Sequence, residues 1–474
     1  MTRRLLTAAA HLSTACLCLC LGTAVTVMSC ANGDDTGGGL GGNGGGNAGA
    51  GGRASTGQGG SPGSGGGPAT PTGGNTGIPG SGGSAGGAGG AGGSATTGAG
   101  GRAAGAGGTG GTTVGGAGGT TVGGTGGAVT GTGGAGPVVN EFWISPTGID
   151  TNPGTREAPL FTLCNDDLKT GACYKVCRSS TAGCLTNNAT IWVMDGTYKY
   201  GAVMQKIGST KVCTAANPCN IFAEAGAKPV FDFTGQAIAS GNRGLQIQGD
   251  YWHVRGITVT KSGDSGIFVM GNNNTVEQCI SHHNQDVGII VGVNSDRPGS
   301  GSNNLFLNCD SYQNFDSAND GENADGYGAK ESVGTGNVFR GCRAWDNGDD
   351  GWDFYGWGAP ITVDNCWAIS QTATIHGGAS DGNGFKLGGN NVSARHILSN
   401  LYAVSNGANG SSGRGFTNNS NPATLTCTGT CGSYGNKASD TGVGGITRTT
   451  GPTAAKMIAA VRAANGNLPS IDSL

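Results

Sequence analysis

The stretch Asn337-Val338-Phe339-Arg340-Gly341-Cys342-Arg343-Ala344-Trp345-Asp346-Asn347-Gly348-Asp349-Asp350-Gly351-Trp352-Asp353 is one unit of a repeat, and its reading decides the fold. The position of Cys342 recurs at Cys279, Cys309, Cys366 and Leu401, in units of 24 to 35 residues. Asn274, Asn304 and Asn337 stand five residues before the first three cysteines. Two residues after each reference position comes a small side chain (Ser281, Ser311, Ala344, Ala368, Ala403), and five after it an amide (Asn284, Asn314, Asn347, Gln371, Asn406). Each unit then reaches a glycine followed by an apolar residue: Gly266-Ile267, Gly288-Ile289, Gly326-Tyr327, Gly351-Trp352, Gly384-Phe385 and Gly415-Phe416.

Between these marks lie short β-prone runs with alternating sides, broken by Asn and Gly and without a helical period. No single unit can bury its apolar face alone, so the units must stack as coils of a solenoid. Like residues then lie above one another about 4.8 Å apart. The predicted fold is all-β, a right-handed parallel β-helix with asparagine ladders at its corners and an inward column of cysteines. Ile191–Tyr198 and Tyr251–Thr260 read as further coils.

Outward from the repeat the chain divides into three. Residues 1–30 carry Arg3 and Arg4, an apolar run and the ending Val27-Met28-Ser29-Cys30, which reads as a signal peptide of the lipoprotein type with a lipid anchor on Cys30. Residues 31–138 are a Gly/Ala/Ser/Thr-rich flexible linker that cannot bury enough surface to offset the entropy of ordering. As a Gly-rich coil its reach is roughly 55–60 Å. Residues 139–474 form the β-helix.

The expected location is therefore extracellular or the bacterial cell surface, as an outer-membrane lipoprotein, and the expected state is a monomer. A net charge of −3 speaks against a nucleic-acid or anionic-membrane surface. Twelve of the 16 cysteines follow Cys30. Cys164, Cys173, Cys177, Cys184, Cys213, Cys219, Cys427 and Cys431 lie in loop-like sequence and read as disulfides of unassigned pairing, zinc ligation being the alternative. The four cysteines of the repeat read as buried free thiols, with bridges between coils as the alternative.

The recurring glycine also predicts geometry. The residue after it points inward, so the next points outward. On three successive coils that outward residue is Gly328, Asp353 and Lys386; Asp325, Asp350 and Asn383 immediately precede the glycine, with Asp349 beside Asp350. Bare carboxylates gathered this way repel, which favours a shared divalent cation, and hard oxygen ligands suit Ca²⁺. Any single Asp-Gly pair could be turn chemistry alone. Lys386 on that face would feel a bound dication, which would lower its pKa and make it a usable base. Lys330, on the earlier coil, reads as a salt-bridging or substrate-binding residue.

The succession Asn323-Ala324-Asp325-Gly326, Asp349-Asp350-Gly351-Trp352-Asp353 and Gly384-Phe385-Lys386-Leu387-Gly388-Gly389 resembles the core of polysaccharide lyase family 9, the pectate lyase L group. The likeness runs from Trp143-Ile144-Ser145-Pro146-Thr147-Gly148 to about Ser420. It implies Ca²⁺ on Asp325, Asp349, Asp350 and Asp353, Lys386 as the base, and β-elimination on polygalacturonate. Arg395 and Arg414 become candidates for a second substrate carboxylate, or else ordinary surface arginines. His376 and His396 read as structural rather than as proton donors to the leaving oxygen. Thr417 departs from the family's usual Asp, and the domain ends sooner than expected after Gly466-Asn467-Leu468-Pro469. The competing readings are a lyase on another polyuronide, a β-helix polygalacturonase-type hydrolase, and a non-catalytic carbohydrate-binding adhesin with structural calcium.

Overall fold

The two columns of small residues in the repeat meet inside the molecule, and their contact explains both. A Cβ on Gly326 would lie 2.6 Å from the Ala344 Cβ, and one on Gly351 would lie 2.5 Å from the Gly384 carbonyl oxygen and 3.0 Å from the Ala368 Cβ. The glycine is required by close approach, and the Ser or Ala two residues after the cysteine is what it approaches. The residue before each reference position turns the chain in the left-handed region, at Gln278, Asn308, Gly341, Asn365 and Asn400 (φ between 51° and 66°). Asn and Gly tolerate that region best, hence their place at the corners.

The structure, a computed structural model, describes residues 141–474 except 166–169, 176–188, 210–212, 331, 357, 376 and 379. The leader with Cys30, the linker over 31–138, Cys177, Cys184 and His376 lie outside the described residues. Strands form three parallel sheets of eleven, eight and nine strands, each coil adding one strand to each sheet in its middle portion. The architecture is the right-handed parallel β-helix that the repeat predicts.

The eight-stranded sheet carries the aspartates. Its strands are numbered here β1 (Gln205–Ile207), β2 (Leu245–Ile247), β3 (Ile267–Val269), β4 (Ile289–Val291), β5 (Tyr327–Ala329), β6 (Trp352–Asp353), β7 (Phe385–Lys386) and β8 (Phe416–Thr417). The inward residues Ile267, Ile289, Tyr327, Trp352, Phe385 and Phe416 are register partners in turn, all fully buried. The last four stack face to face, with centroids 4.7, 4.7 and 5.0 Å apart. Each such ring contributes about 1.5–3 kcal/mol by burial.

At the corners the amide ladder is continuous. Asn284 Nδ2 donates to Asn314 Oδ1 (2.9 Å), Asn314 to Asn347 (2.8 Å) and Asn347 to Gln371 Oε1 (3.0 Å). The backbone N–H of Gln371 donates to Asn406 Oδ1 at 3.2 Å. This satisfies buried polar groups where the strands end.

Cys279, Cys309, Cys342 and Cys366 are free and buried, as read from the repeat. Disulfides join Cys164 to Cys173, Cys213 to Cys219 and Cys427 to Cys431. The chain's end departs from the coil pattern. Helix α1 (Ala454–Ala459), capped by Thr453, lays Met457 against Trp367, Ile369, Tyr402 and Val404 on the nine-stranded sheet. Arg343 and Arg462 fix this segment through Asp310, at 2.9 and 2.5 Å. No helix among the described residues is long and apolar enough to cross a membrane.

Candidate active site

Stacking in register builds the site. Gly328, Asp353, Lys386 and Thr417 are partners on successive strands β5 to β8, all on the outward side. One position before each recurring glycine a second column forms by hydrogen bonding. Asp325 Oδ1 accepts the Asp350 N–H (3.1 Å), Asp350 Oδ1 accepts the Asn383 N–H (2.6 Å), and Asn383 Oδ1 accepts the Arg414 N–H (3.0 Å). Each carboxylate spends one oxygen on the next coil and keeps the other for the site.

Those remaining oxygens are the ones that a cation would need. Asp325 Oδ2, Asp350 Oδ2 and Asp353 Oδ1 are buried and make no hydrogen bond. Asp325, Asp350 and Asp353 offer oxygens within 4.8 Å of one another. A second trio within the same limit is Asp349, Asp350 and Asp381. The four expected aspartates thus belong to two overlapping groups that share Asp350, with Asp349 in the group away from Asp353. The residues fit a divalent cation: buried, hard carboxylate oxygens in excess of local positive charge.

Asp381 was not among the residues read from the sequence. It stands three residues before Gly384, whereas Asp349 stands two before Gly351, so a strict register count passes over it. Gly382 takes a φ of 76° and turns the chain so that the Asp381 N–H reaches Asp349 Oδ1 at 2.6 Å.

Two lysines enter the cluster. Lys330 Nζ lies 2.8 Å from Asp325 Oδ2 and 3.0 Å from Asp353 Oδ2. Lys386 Nζ lies 3.2 Å from Asp350, 3.3 Å from Asp381 and 3.7 Å from Asp353. Five carboxylates against two ammoniums leave an excess of three negative charges if all are ionised. Burial, with Asp353 and Asp349 adding to it and Lys330 opposing, pushes the Asp325 carboxyl up to about 8. Burial and the Asp349 charge push Asp350 well above the usual carboxylate range. Asp353 runs the other way: burial would raise it, but Lys330 and Lys386 hold it below its ordinary value.

For Lys386, the structure gives the direction of the shift without an ion. Burial would lower its pKa, but Asp353, Asp350, Asp349 and Asp381 outweigh that and raise it well above the ordinary lysine value. The expected depression depends on a dication that neutralises these carboxylates; with protein charges alone the sign reverses.

The other candidates separate. Arg414 is half-buried on the coil after Asn383, its Nε without a hydrogen-bond partner and its other end on Ser412. Arg395 is exposed and makes no ion pair with the cluster among the described residues. His396 is buried, accepts the Ile361 N–H at 3.2 Å and packs on Phe354, a structural placement. Thr417 Oγ1 accepts a hydrogen bond from Thr441 and stands on the coil next to Lys386.

Comparison with known proteins gives one consistent result. The family described as "Pel9A-like, right handed beta helix region" matches residues 142–448. "Pectate lyase L" of Paenibacillus polymyxa is 41% identical over 250 residues, 50% of this chain and 54% of that protein. "Pectate lyase PEL9" of Emericella nidulans is 30% identical over 323 residues, 61% of this chain and 72% of its own. The crystal structure of pectate lyase Pel9A superposes with a TM-score of 0.54 at 26% identity, covering 70% of this chain and 87% of that one. The chain spans about half the length of several curated relatives it matches, or less.

Proposed function

The chain belongs to the Pel9A-like right-handed β-helix family, and from that premise we propose that it is a calcium-dependent pectate lyase that cleaves α-1,4-galacturonan by β-elimination. The observation that carries the reading is the approach of Lys386 Nζ to Asp350 and Asp353, whose buried carboxylates share one cluster with Asp325. A purely structural calcium site or an adhesin needs no base beside the ion.

Asp325, Asp349, Asp350 and Asp353 would hold Ca²⁺, with Asp381 at the rim. The ion would neutralise the substrate carboxylate and the charge that develops next to it. As a free amine, the state that a bound dication would favour, Lys386 would take the C5 proton of the uronide. The electron pair left at C5 forms the C4–C5 double bond while the C4–O bond breaks, and the leaving oxygen departs with the glycosidic electrons and gains a proton. The product carries a 4,5-unsaturated sugar at its new non-reducing end. Arg414, on the following coil with an unsatisfied Nε, is suited to a neighbouring uronide carboxylate. Lys330 pairs with both Asp325 and Asp353.

The leader ending at Cys30 and the three disulfides support an exported enzyme, acting outside the cell or tethered to its surface through the linker.

The test is incubation of the full chain with polygalacturonate, with and without calcium, following ultraviolet absorbance of the conjugated product. New reducing ends without absorbance mean hydrolysis. Neither signal means another polyuronide or no catalysis.

A further inference from the structure

A cavity of about 540 Å³ opens on the outward face of β3 and β4, between Arg243 just before β2 and Lys330 just after β5, on the sheet that carries the acidic cluster. Lys330 belongs to both, lining one end of the cavity while pairing with Asp325 and Asp353. Phe268 and Ile290 stand in the column continued by Gly328, Asp353 and Lys386, so the cavity lies along the line of coils that leads to the lysine. From Ile290 on β4 to Lys386 on β7 is three coils, about 14 Å at 4.8 Å each, or roughly three pyranose units.

Its chemistry is unlike that of the cluster. Ile238, 52% exposed, and the half-buried Ile290 offer accessible apolar surface. The ring of Phe268 lies across Gly292, where a Cβ would come within 2.4 Å of it, and under the Arg243 guanidinium at 3.8 Å. Both cations that line the space are engaged: Arg243 Nε is 3.6 Å from Asp264 Oδ2, and Lys330 is held at the cluster. Asp264, Asp286 and Asp316 line the same space. Asp316 is closed on its own loop by the N–H groups of Ala318 and Asn319. Asp286 adjoins Asp264, so two of these carboxyl groups face the space side by side.

A uronate carboxylate entering here would lose water and meet three carboxyl groups with no uncommitted cation among the described residues, a costly exchange. A methyl ester removes that charge and adds a methyl group for Ile238 and Ile290. We propose that this cavity is a subsite for a methyl-esterified uronide, about three units from the bond broken at Lys386, so that the enzyme prefers partly esterified pectin over fully de-esterified chains. The inference rests on the pectate lyase reading for the identity of the polymer and narrows its substrate.

The full chain is compared on partly methyl-esterified and fully de-esterified galacturonan oligomers of equal length, long enough to reach from β3 to β7. Binding is read by calorimetry and elimination by absorbance. The esterified oligomer should bind about 3- to 10-fold more tightly. Ile290→Lys, which adds a cation to the outward face, should reverse the order. Ile290→Gln, which removes the apolar contact without adding charge, should abolish the preference without reversing it. Equal binding of the two oligomers, or an unchanged preference in Ile290→Lys, overturns the subsite. Elimination without the preference defeats the subsite alone. Preferential binding without unsaturated product keeps the subsite and defeats the lyase reading.

Discussion

Asp353 and Lys386 are register partners on adjacent strands β6 and β7, and the Asp353 carboxylate lies 3.7 Å from the lysine ammonium. Parallel stacking sets residues of equal register about 4.8 Å apart. The proposed ligand and the proposed base are therefore neighbours by construction, without any loop having to bring them together. Because backbone hydrogen bonds between the two strands hold both positions, as in Phe354 N–H to the Lys386 carbonyl at 3.0 Å, either side chain can be altered without displacing the other.

Lys386→Ala should lower the rate of elimination by about a hundred- to ten-thousand-fold, the usual worth of a general base, while calcium binding persists. Absorbance assays and calorimetric calcium titration of the same variant check this. Turnover at the wild-type rate would remove Lys386 from the chemistry.

Asp350 belongs to both aspartate trios and is fully buried, whereas Asp381 belongs to one and its side chain is 37% exposed. Asp350→Asn keeps the acceptor for the Asn383 N–H and removes only charge. It should weaken calcium by about a hundredfold or more, and Asp381→Asn by about tenfold or less, since ligand charge and rigidity set calcium affinity. Equal losses in the two variants would contradict this ranking.

Acid should act on the C-terminal closure as well as on the site. Burial alone would raise the Asp310 carboxyl, but the guanidiniums of Arg343 and Arg462 hold it below its ordinary value. A group depressed in the folded state stabilises above its unfolded pKa, near 3.8, and that contribution is lost as the pH falls through the folded value. Asp310→Asn, which strands two buried guanidiniums, should cost about 3–5 kcal/mol at pH 7. The gap from wild type should narrow below about pH 4. Denaturant unfolding at the two pH values measures both, and a gap that is constant with pH would refute the account.

Phe385 is the third ring of the core stack, between Trp352 and Phe416. Phe385→Ala should destabilise the domain by about 3–5 kcal/mol, because coils above and below are held by the same strands and cannot collapse into the space. Urea unfolding followed by tryptophan fluorescence reads this. A loss under about 1 kcal/mol would mean that the stack repacks.

What the sequence by itself determined is the register. In a stacked solenoid, neighbours in space are residues at equal positions in successive units, so the recurring Asn, Cys, small residue and Gly state the contacts in one dimension. Asp353 beside Lys386, the column Asp325, Asp350 and Asn383, the amide ladder and the buried cysteines follow from that count. What only the tertiary structure decided depends on the path of the chain between coils. The extra residue before Gly384 brings Asp381 to Asp349. The aspartates divide into two trios around Asp350, and the sign of the shift at Lys386 follows from the carboxylates that surround it through space. The end of the chain turns back across the nine-stranded sheet so that Arg462 meets Asp310, and the walls of the cavity come from loops of unequal length. Register encodes none of these, because each is a distance set by loop path and by summed charge.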